Sequence, residues 1–380
     1  MAHQVVLHIG AMKTGTTYLQ AVLRGNPAAL ATTGHLDART LGRPAGAVAK
    51  VLARPYDATA AVAWHELCRR IREAPAETVV VSTEYLGFAR PHQIEALLAP
   101  LAGLSVRVVL AVRDQVGAIP SQWQTFCRNY GDDRWPDYLA HIDPDRAGDR
   151  RSKAWRSYHR AQDLDRIARD WSTHPGVGLL HVLTLPHTRT ESRPLWRAFA
   201  LAAGLEQAEV VEPAPRVNPS VGHASAQMLQ DLGRHWQRAG HPIHLVRLAM
   251  RRVIAEALVP RRRLEPVPRL DRRGWAFARR RNELAVAALE EGRTAGRLTV
   301  HGSLADLVAP DPPPDLPGRA ADADPTLVRE AARALWLETR QSAGASGRPP
   351  LTYRATLRAI ADLAPRTEAW RRTADALGRR

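Results

Sequence analysis

Residues 13 to 17, Lys13-Thr14-Gly15-Thr16-Thr17, place one ammonium, three hydroxyls and one unhindered glycine side by side. A stretch this rich in donors suits a single anion, above all where a helix begins. The first N–H groups of a helix have no partner within it, and they carry the positive end of its dipole. The order differs from the Gly-Lys-Ser/Thr of a Walker A loop. Lys13 stands before Gly15, so its ammonium would reach the anion from the side of the preceding strand.

The elements that must position this loop are legible as apolar runs. Val5 to Ile9 is short and β-branched, the composition of a strand buried on both faces. After Gly10 and the loop, Leu19, Val22 and Leu23 fall on one helical face. A second buried run, Val79-Val-Val-Ser-Thr83, ends at Glu84, and a third, Val106 to Val112, ends at Arg113-Asp114. Helical stretches separate them: residues 61–73 with Val62, Leu67 and Ile71 near one face, then Pro91 to about Leu98. Strands alternating with helices imply a mostly parallel sheet with right-handed crossovers, which binds ligands at the carboxyl ends of its strands. Lys13, Glu84 and Arg113 all lie just past such ends.

Further along, Pro120 and Ser121 follow, and Gln122-Trp123-Gln124 lie on a helix running to about Tyr130. Residues 131–175 read as helices carrying Trp135, Trp155, Tyr158 and Trp171, and Leu179 to Leu185 as a fourth strand. A helix from about Pro194 to Ala203 has Leu195, Phe199 and Leu201 for its apolar face. From about residue 220 the period is helical, through Leu229, Leu232 and Trp236, then Leu245, Leu248, Ala249 and Val253. A helix near 274–291 and a short strand, Arg297 to Val300, follow. Pro310, Pro312, Pro313, Pro314 and Pro317 mark a linker. Helices are expected over 326–340 and about 352–377. Residues 26–60, rich in Gly, Pro, Ala and Thr, read as a long surface excursion over the site.

The order His8-Ile9-Gly10-x-x-Lys13-Thr14-Gly15-Thr16-Thr17 at the end of the first strand resembles the 5′-phosphosulfate loop of sulfotransferases, which take their sulfuryl group from 3′-phosphoadenosine 5′-phosphosulfate (PAPS). Arg113 followed eight residues later by Ser121 is similar to the arginine and serine with which that family grips the 3′-phosphate. Such a pairing is bidentate and charge-assisted, with a hydroxyl as a further donor. Glu84 resembles the glutamate base of family members acting on carbohydrates and related small acceptors. Gln122-Trp-Gln124, Gln162-Asp163 before Trp171, Thr184-Leu-Pro186 with Leu195-Trp196, and Gly302 to Pro310 also look like bacterial members, which extends the resemblance over roughly residues 4–310. Arg216-Val-Asn218-Pro-Ser220 looks like a family segment too. The Arg-Lys-Gly motif of the cytosolic enzymes is absent, so the third 3′-phosphate contact stays open.

Plainer readings stand beside these. Arg113 could be salt-bridged at a strand end and Ser121 could cap a helix. Glu84 could be a solvated turn residue. His8, inside the first strand, reads as a packed core imidazole, and His65 and His92 lack a supporting pattern. The ten tryptophans read mostly as helix-packing residues, and the arginine clusters 251–252, 261–263 and 279–281 as solvated helix faces.

Composition bounds the rest. The 380 residues, 45% apolar and 24% charged, fit one large α/β domain with additions. No run approaches the ~18 apolar residues of a membrane span. Cys68 and Cys127 have no metal-ligand spacing and suggest free thiols in a cytoplasmic protein. The first strand starts by about residue 4, which leaves no room for a signal peptide. The formal charge is +16, yet only Lys13, Lys50 and Lys153 among the 54 basic residues are lysine. That arginine excess in an alanine-rich chain fits GC-rich codon usage as well as a polyanion site, and acidic residues are mixed among the arginines. Where arginine is the default cation, Lys13 suggests a need for a compact ammonium.

The resemblance implies an α/β fold with a three-layer P-loop-NTPase-like parallel sheet flanked by helices and a helical C-terminal extension. The expected division is a sulfotransferase domain over 1–309 (α/β core about 4–205, helical part about 220–291), a linker at 310–325 and a helical tail at 326–380. The activity it implies is sulfuryl transfer from PAPS to a hydroxyl, or in second place an amine, of a small molecule or glycan, leaving 3′,5′-ADP. Lys13 and Glu84 would be catalytic; Lys13, Thr14, Gly15, Thr16, Thr17, Arg113 and Ser121 would bind the donor. No metal is required and no nucleic acid is expected as partner; the C-terminal helices could pair two copies. A nucleotide-dependent phosphotransferase and a non-catalytic anion-binding scaffold are the alternatives.

Overall fold

A computed structural model describes residues 1–53, 58–129, 131–146, 148–186, 193–212, 220–238 and 254–344. Six strands form one all-parallel sheet: β1 (Gln4–Gly10), β2 (His35–Asp37), β3 (Thr78–Ser82), β4 (Ser105–Val112), β5 (Leu179–Thr184) and β6 (Leu298–His301), in the order β2-β3-β1-β4-β5-β6. The central strand β1 pairs with β3 through Gln4↔Thr78 to His8↔Ser82 and with β4 through Gln4↔Ser105 to His8↔Val109. Parallel pairing puts every strand's carboxyl end on one edge. The segments after β3, β1 and β4 are therefore neighbours there.

Side chains alternate across this sheet. Val5, Leu7, Ile9, Val79, Val81, Val108, Leu110 and Val112 face one helical layer. It comprises α3 (Pro44–Val51), α4 (Ala58–Glu73), α5 (Pro91–Leu98), α9 (Leu164–Ser172) and part of α12 (Arg272–Thr294). Val6, Val80, Val109, Ala111 and Leu183 face α1 (Thr16–Gly25), α2 (Pro27–Thr32) and α10 (Arg193–Ala203). The central strands are mostly apolar because both faces are covered.

Several expectations need correction. The described residues 26–53 are no long excursion: they supply α2, edge strand β2, a 3₁₀ turn at Ala38–Thr40 and α3. β2 escapes an apolar-run search because two of its three residues, His35 and Asp37, are polar and buried. Asp37 accepts from the Arg39 backbone N–H at 3.1 Å and pairs with its guanidinium, and His35 Nδ1 is 2.6 Å from the Thr33 carbonyl oxygen. Val62 and Leu201, expected on buried faces, are 62% and 52% exposed. The apolar face of α4 runs instead through Trp64, Leu67, Cys68 and Ile71. Helix α6 (Gln115–Arg128), for which the sequence marks no start, carries Pro120 within it. Asp114 Oδ1 accepts from the Gly117 N–H at 2.9 Å and starts the helix.

The chain divides into two compact units: residues 1–119, 158–217 and 275–313 form one, residues 120–157, 218–274 and 314–380 the other. This partition does not follow the linear split at 309 and 325. The first unit holds the sheet. In the second, Trp123 of α6 packs edge-on against Trp135 of α7 (Trp135–Ile142) and His223 of α11 (His223–Arg238), at centroid distances of 5.4 and 5.1 Å. The helix expected over 326–340 is present as α13 (Pro325–Gly344), which packs against α11 and buries Ala331, Ala332, Leu335 and Trp336. The proline-rich stretch ahead of it is held in place. Arg272 N–H donates to Pro317 O, and Ala320 N–H to Asp271 Oδ2, at 3.0 and 3.2 Å. The helical positions Leu245, Leu248, Ala249 and Val253, the arginine pair 251–252 and the helix expected over 352–377 lie outside the described residues.

The corrected face of α4 is testable by urea unfolding. Ile71→Ala, at a fully buried position, should cost about 2–5 kcal/mol. Val62→Ala should stay within about 0.5 kcal/mol of the parent. A large loss at Val62 would refute this packing.

Candidate functional site

At its carboxyl end β1 stops following β4. His8 pairs with Val109 but Gly10 with Leu110, so Ile9 has no opposite residue. Past this irregularity the Ala11 N–H donates to the Ala111 carbonyl at 2.6 Å. Gly10, Lys13 and Gly15 all have positive φ, at 90°, 69° and 88°. For Lys13 this is an uncommon conformation. Gly15 is the N-cap of α1, and no side chain caps that helix. The first turn of the helix contains no acidic residue.

The hydroxyls of the loop have work of their own. Thr14 Oγ1 donates to the Ala11 carbonyl at 2.6 Å and Thr16 Oγ1 to the same oxygen at 3.5 Å. Both residues are buried, whereas Thr17 is exposed and Lys13 is half-buried. Thr14 and Thr16 thus brace the loop from beneath; what they can turn outward is their backbone N–H.

Glu84 follows β3 and begins a 3₁₀ turn, Glu84–Phe88, whose N-cap is Thr83. Two glycines let this turn close on β1. A β-carbon on Gly10 would stand 3.0 Å from Glu84 Cβ and 3.1 Å from its Cα, and one on Gly87 would lie 2.7 Å from the Ile9 carbonyl oxygen. The Thr83 N–H donates to His8 O at 3.1 Å, and Gln20 Nε2 of α1 donates to Ser82 O at 3.1 Å. Glu84 is half-buried against the segment that leads into the Lys13 loop.

Arg113 follows β4. Its guanidinium lies over Gly117 in the first turn of α6, where any β-carbon would collide with it. Its Nε is 3.8 Å from the Asp114 carboxylate. The adjacent carboxylate and the bare glycine hold the fork against the helix start while leaving 26% of the side chain exposed. Ser121 is half-buried, lies further along α6 in the second unit, and accepts at its carbonyl from Thr125 Oγ1 at 3.3 Å. The first unit thus brings Glu84, Lys13 and Arg113 to one edge, in that order across three adjacent strands. Arg216 and Asn218 lie outside the described residues.

Sequence reading missed Gly117, whose importance depends on where another side chain lies, and the amide of Gln115, which is wholly buried. Gln162 stood out only as part of a segment, yet its Nε2 donates to the loop carbonyl of Met12 at 3.0 Å. His8 is a core imidazole: its Nδ1 is 2.8 Å from Ser82 Oγ, and its ring meets Phe199 edge-on at 5.3 Å. His65 and His92 are exposed. Both cysteines are buried free thiols, and burial pushes Cys68 up to about 12 and Cys127 well above the usual value. Among the described residues no group of three His, Cys, Asp or Glu side chains could hold a metal ion, and no helix is long and apolar enough to cross a membrane.

Comparison with known proteins adds no relative: no family model, no curated protein and no solved structure matches this chain.

Burial lowers the His8 pKa from 6.5 to about 4. Between those values the unfolded chain binds a proton at this position that the folded chain does not, so stability is lost as pH falls through the window. His181 and His223, lowered to about 4 chiefly by burial, act with the same sign. His8→Asn keeps a polar partner for Ser82 and removes the titrating ring. Urea unfolding at pH 7 and pH 4.5 should show a smaller acid loss for this variant than for the parent. Equal losses would mean that His8 is not held neutral in the fold.

Proposed function

We propose that the protein is a sulfotransferase that moves a sulfuryl group from PAPS to a hydroxyl, or in second place an amine, of a small molecule or glycan, on a P-loop-like scaffold. The observation that supports this most directly is the alignment of three side chains of suitable chemistry beyond adjacent strand ends. They flank a loop whose left-handed residues lead into a helix start without a side-chain cap. The residues present fit an anionic donor. The α1 terminus offers N–H groups and a positive dipole end, Lys13 a point charge, and Arg113 a planar fork held over Gly117.

In this reading PAPS supplies an activated sulfuryl group when bound. Lys13 stabilises the negative charge that develops on the departing 5′-phosphate, and Arg113 pairs with the 3′-phosphate. Glu84 accepts the proton of the attacking hydroxyl, which is a poor nucleophile while it keeps that proton. Catalysis is then positioning plus charge stabilisation, as in phosphoryl transfer.

Calorimetry with 3′,5′-ADP, AMP and ATP–Mg²⁺ tests the donor. 3′,5′-ADP should bind without metal and far more tightly than AMP. Arg113→Ala should erase most of that preference, about 1.5–3 kcal/mol for one charge-assisted contact. Gly117→Ala should weaken it too by displacing the same guanidinium, with little loss of fold stability, because the far end of a long side chain can move aside. Preference for ATP–Mg²⁺ would favour a phosphotransferase, and indifference to all three would favour a scaffold.

Turnover tests the chemistry. Lys13→Ala should lower kcat on the order of 10²-fold or more with a far smaller effect on donor binding, as expected for an interaction strengthened in the transition state. Lys13→Arg should not restore the rate, since a planar fork cannot replace a point charge. Glu84→Gln should lower kcat roughly 10²–10⁴-fold with donor affinity nearly unchanged. Normal turnover in the glutamine variant would assign the base to another group.

A further inference from the structure

A buried run of polar side chains joins the two cationic grips from below. Gln162, the last residue of α8 (Lys153–Gln162), donates from Nε2 to the Met12 carbonyl, one residue before Lys13, at 3.0 Å. Its Oε1 is 3.4 Å from Gln115 Nε2, which also lies 3.5 Å from the Arg113 carbonyl. Gln115 Oε1 accepts from the Tyr158 hydroxyl at 2.8 Å, and the Gln115 backbone N–H donates to Asn282 Oδ1 at 2.8 Å. Gln115 and Gln162 are 0% and 2% exposed, so water is not a ready substitute for these partners. All these residues belong to the sheet-bearing unit.

The run has one internally consistent direction. A carbonyl can only accept, so Met12 requires the NH₂ of Gln162. That turns the Gln162 oxygen towards Gln115, which must answer with its own NH₂. The Gln115 oxygen is then left for a donor, and the Tyr158 hydroxyl supplies it. Burial pushes the Tyr158 phenol far above its usual range, so it keeps its proton. Turning either amide over would set acceptor against acceptor, the Gln162 oxygen against the Met12 carbonyl or the Gln115 oxygen against the Gln162 oxygen and the Arg113 carbonyl. The far end is fixed as well: Arg281, beside Asn282 in α12, pairs with Asp163 and Asp165 at 2.9 and 2.6 Å, immediately after Gln162.

We infer that the Met12–Gln162–Gln115–Tyr158 chain is a positioning element that holds the Lys13 loop and the Arg113 strand end at a fixed separation. It thereby sets the spacing between the two anionic groups that the site can grip at once. The assignment of those groups to a 3′,5′-bisphosphate rests on the sulfotransferase reading; the mechanical link between the two segments does not. Neither glutamine need touch a ligand, so both act through Lys13 and Arg113.

The test uses the full chain with Gln162→Met, which keeps the length and removes both bonds, and Tyr158→Phe, which keeps the ring and removes the hydroxyl that donates to Gln115 and also bonds Arg281. Two readouts are taken: calorimetry with 3′,5′-ADP and AMP, and amide hydrogen exchange of peptides spanning 10–17 and 113–118 in the free protein. Each variant should exchange faster in both peptides, and the affinity ratio of 3′,5′-ADP over AMP should fall about tenfold, the scale for one unsatisfied buried polar group. The Gln162→Met and Arg113→Ala effects on that ratio should be less than multiplicative, because they act on one grip. Faster exchange at 10–17 alone, or at neither peptide, in a variant that unfolds as cooperatively as the parent would overturn the inference. If the parent does not distinguish 3′,5′-ADP from AMP, the functional reading fails, and the exchange result alone decides the link. If Gln162→Met does not fold, Tyr158→Phe decides it.

Discussion

The hydrogen bond from the Ala11 N–H to the Ala111 carbonyl is the last tie between β1 and β4, and the site hangs from it. Up to His8 the two strands run in register; at Ile9 one residue goes unmatched. An extra residue in a ladder twists and re-aims the chain. Here the chain turns at Gly10, where a positive φ is required and where Glu84 presses against the glycine. Any side chain at Gly10 would have to meet both demands. The same short segment therefore fixes where the Lys13 loop begins and how near the Glu84 turn can come.

From that point the loop is held on all sides but one. The Thr14 and Thr16 hydroxyls converge on the Ala11 carbonyl, and the Gln162 amide takes the Met12 carbonyl. Side-chain bonds to the loop's own carbonyls stabilise a conformation that would otherwise give way to alternatives. They also occupy the Ala11 and Met12 carbonyls as acceptors. Preorganisation of this kind is what makes backbone donors effective, since they need not reorient as charge develops.

The central strands and their covering helices were legible in the sequence because burial on both faces writes itself as an unbroken apolar run. Val5 to Ile9, Val79 to Val81 and Val108 to Val112 are such runs, and each is followed at once by a residue of the sheet edge. β2 was not legible, because its buried His35 and Asp37 are satisfied by hydrogen bonds rather than by apolar contact. The face of α4 was misjudged at Val62 because Trp64 and Cys68 define a face that Val62 does not share. Within the site, Lys13 and Arg113 could be placed from strand ends alone. Gly117 and Gln115 could not, since a glycine that makes room for an arginine and an amide that bridges two segments leave no periodic trace.

The charge distribution separates attraction from selection. A formal charge of +16 draws anions of every kind towards the surface, but beyond about 8–10 Å that field is screened at physiological ionic strength. Many of the arginines are also matched locally by the carboxylates that this net figure already subtracts: Arg39, Arg134, Arg146, Arg166 and Arg281 each pair with one, with partner distances of 2.6 to 3.0 Å. Choice among anions must therefore come from groups whose positions are fixed relative to one another. At the sheet edge those are the uncapped start of α1, the ammonium of Lys13 and the fork of Arg113. One stands on a left-handed residue, the other over a bare glycine. A chain whose default cation is arginine places its point charge at the first and its planar fork at the second, and the two chemistries are suited to different oxygens. A point charge suits a single oxygen on which charge can concentrate, whereas a planar fork suits an oxyanion that offers two oxygens at once.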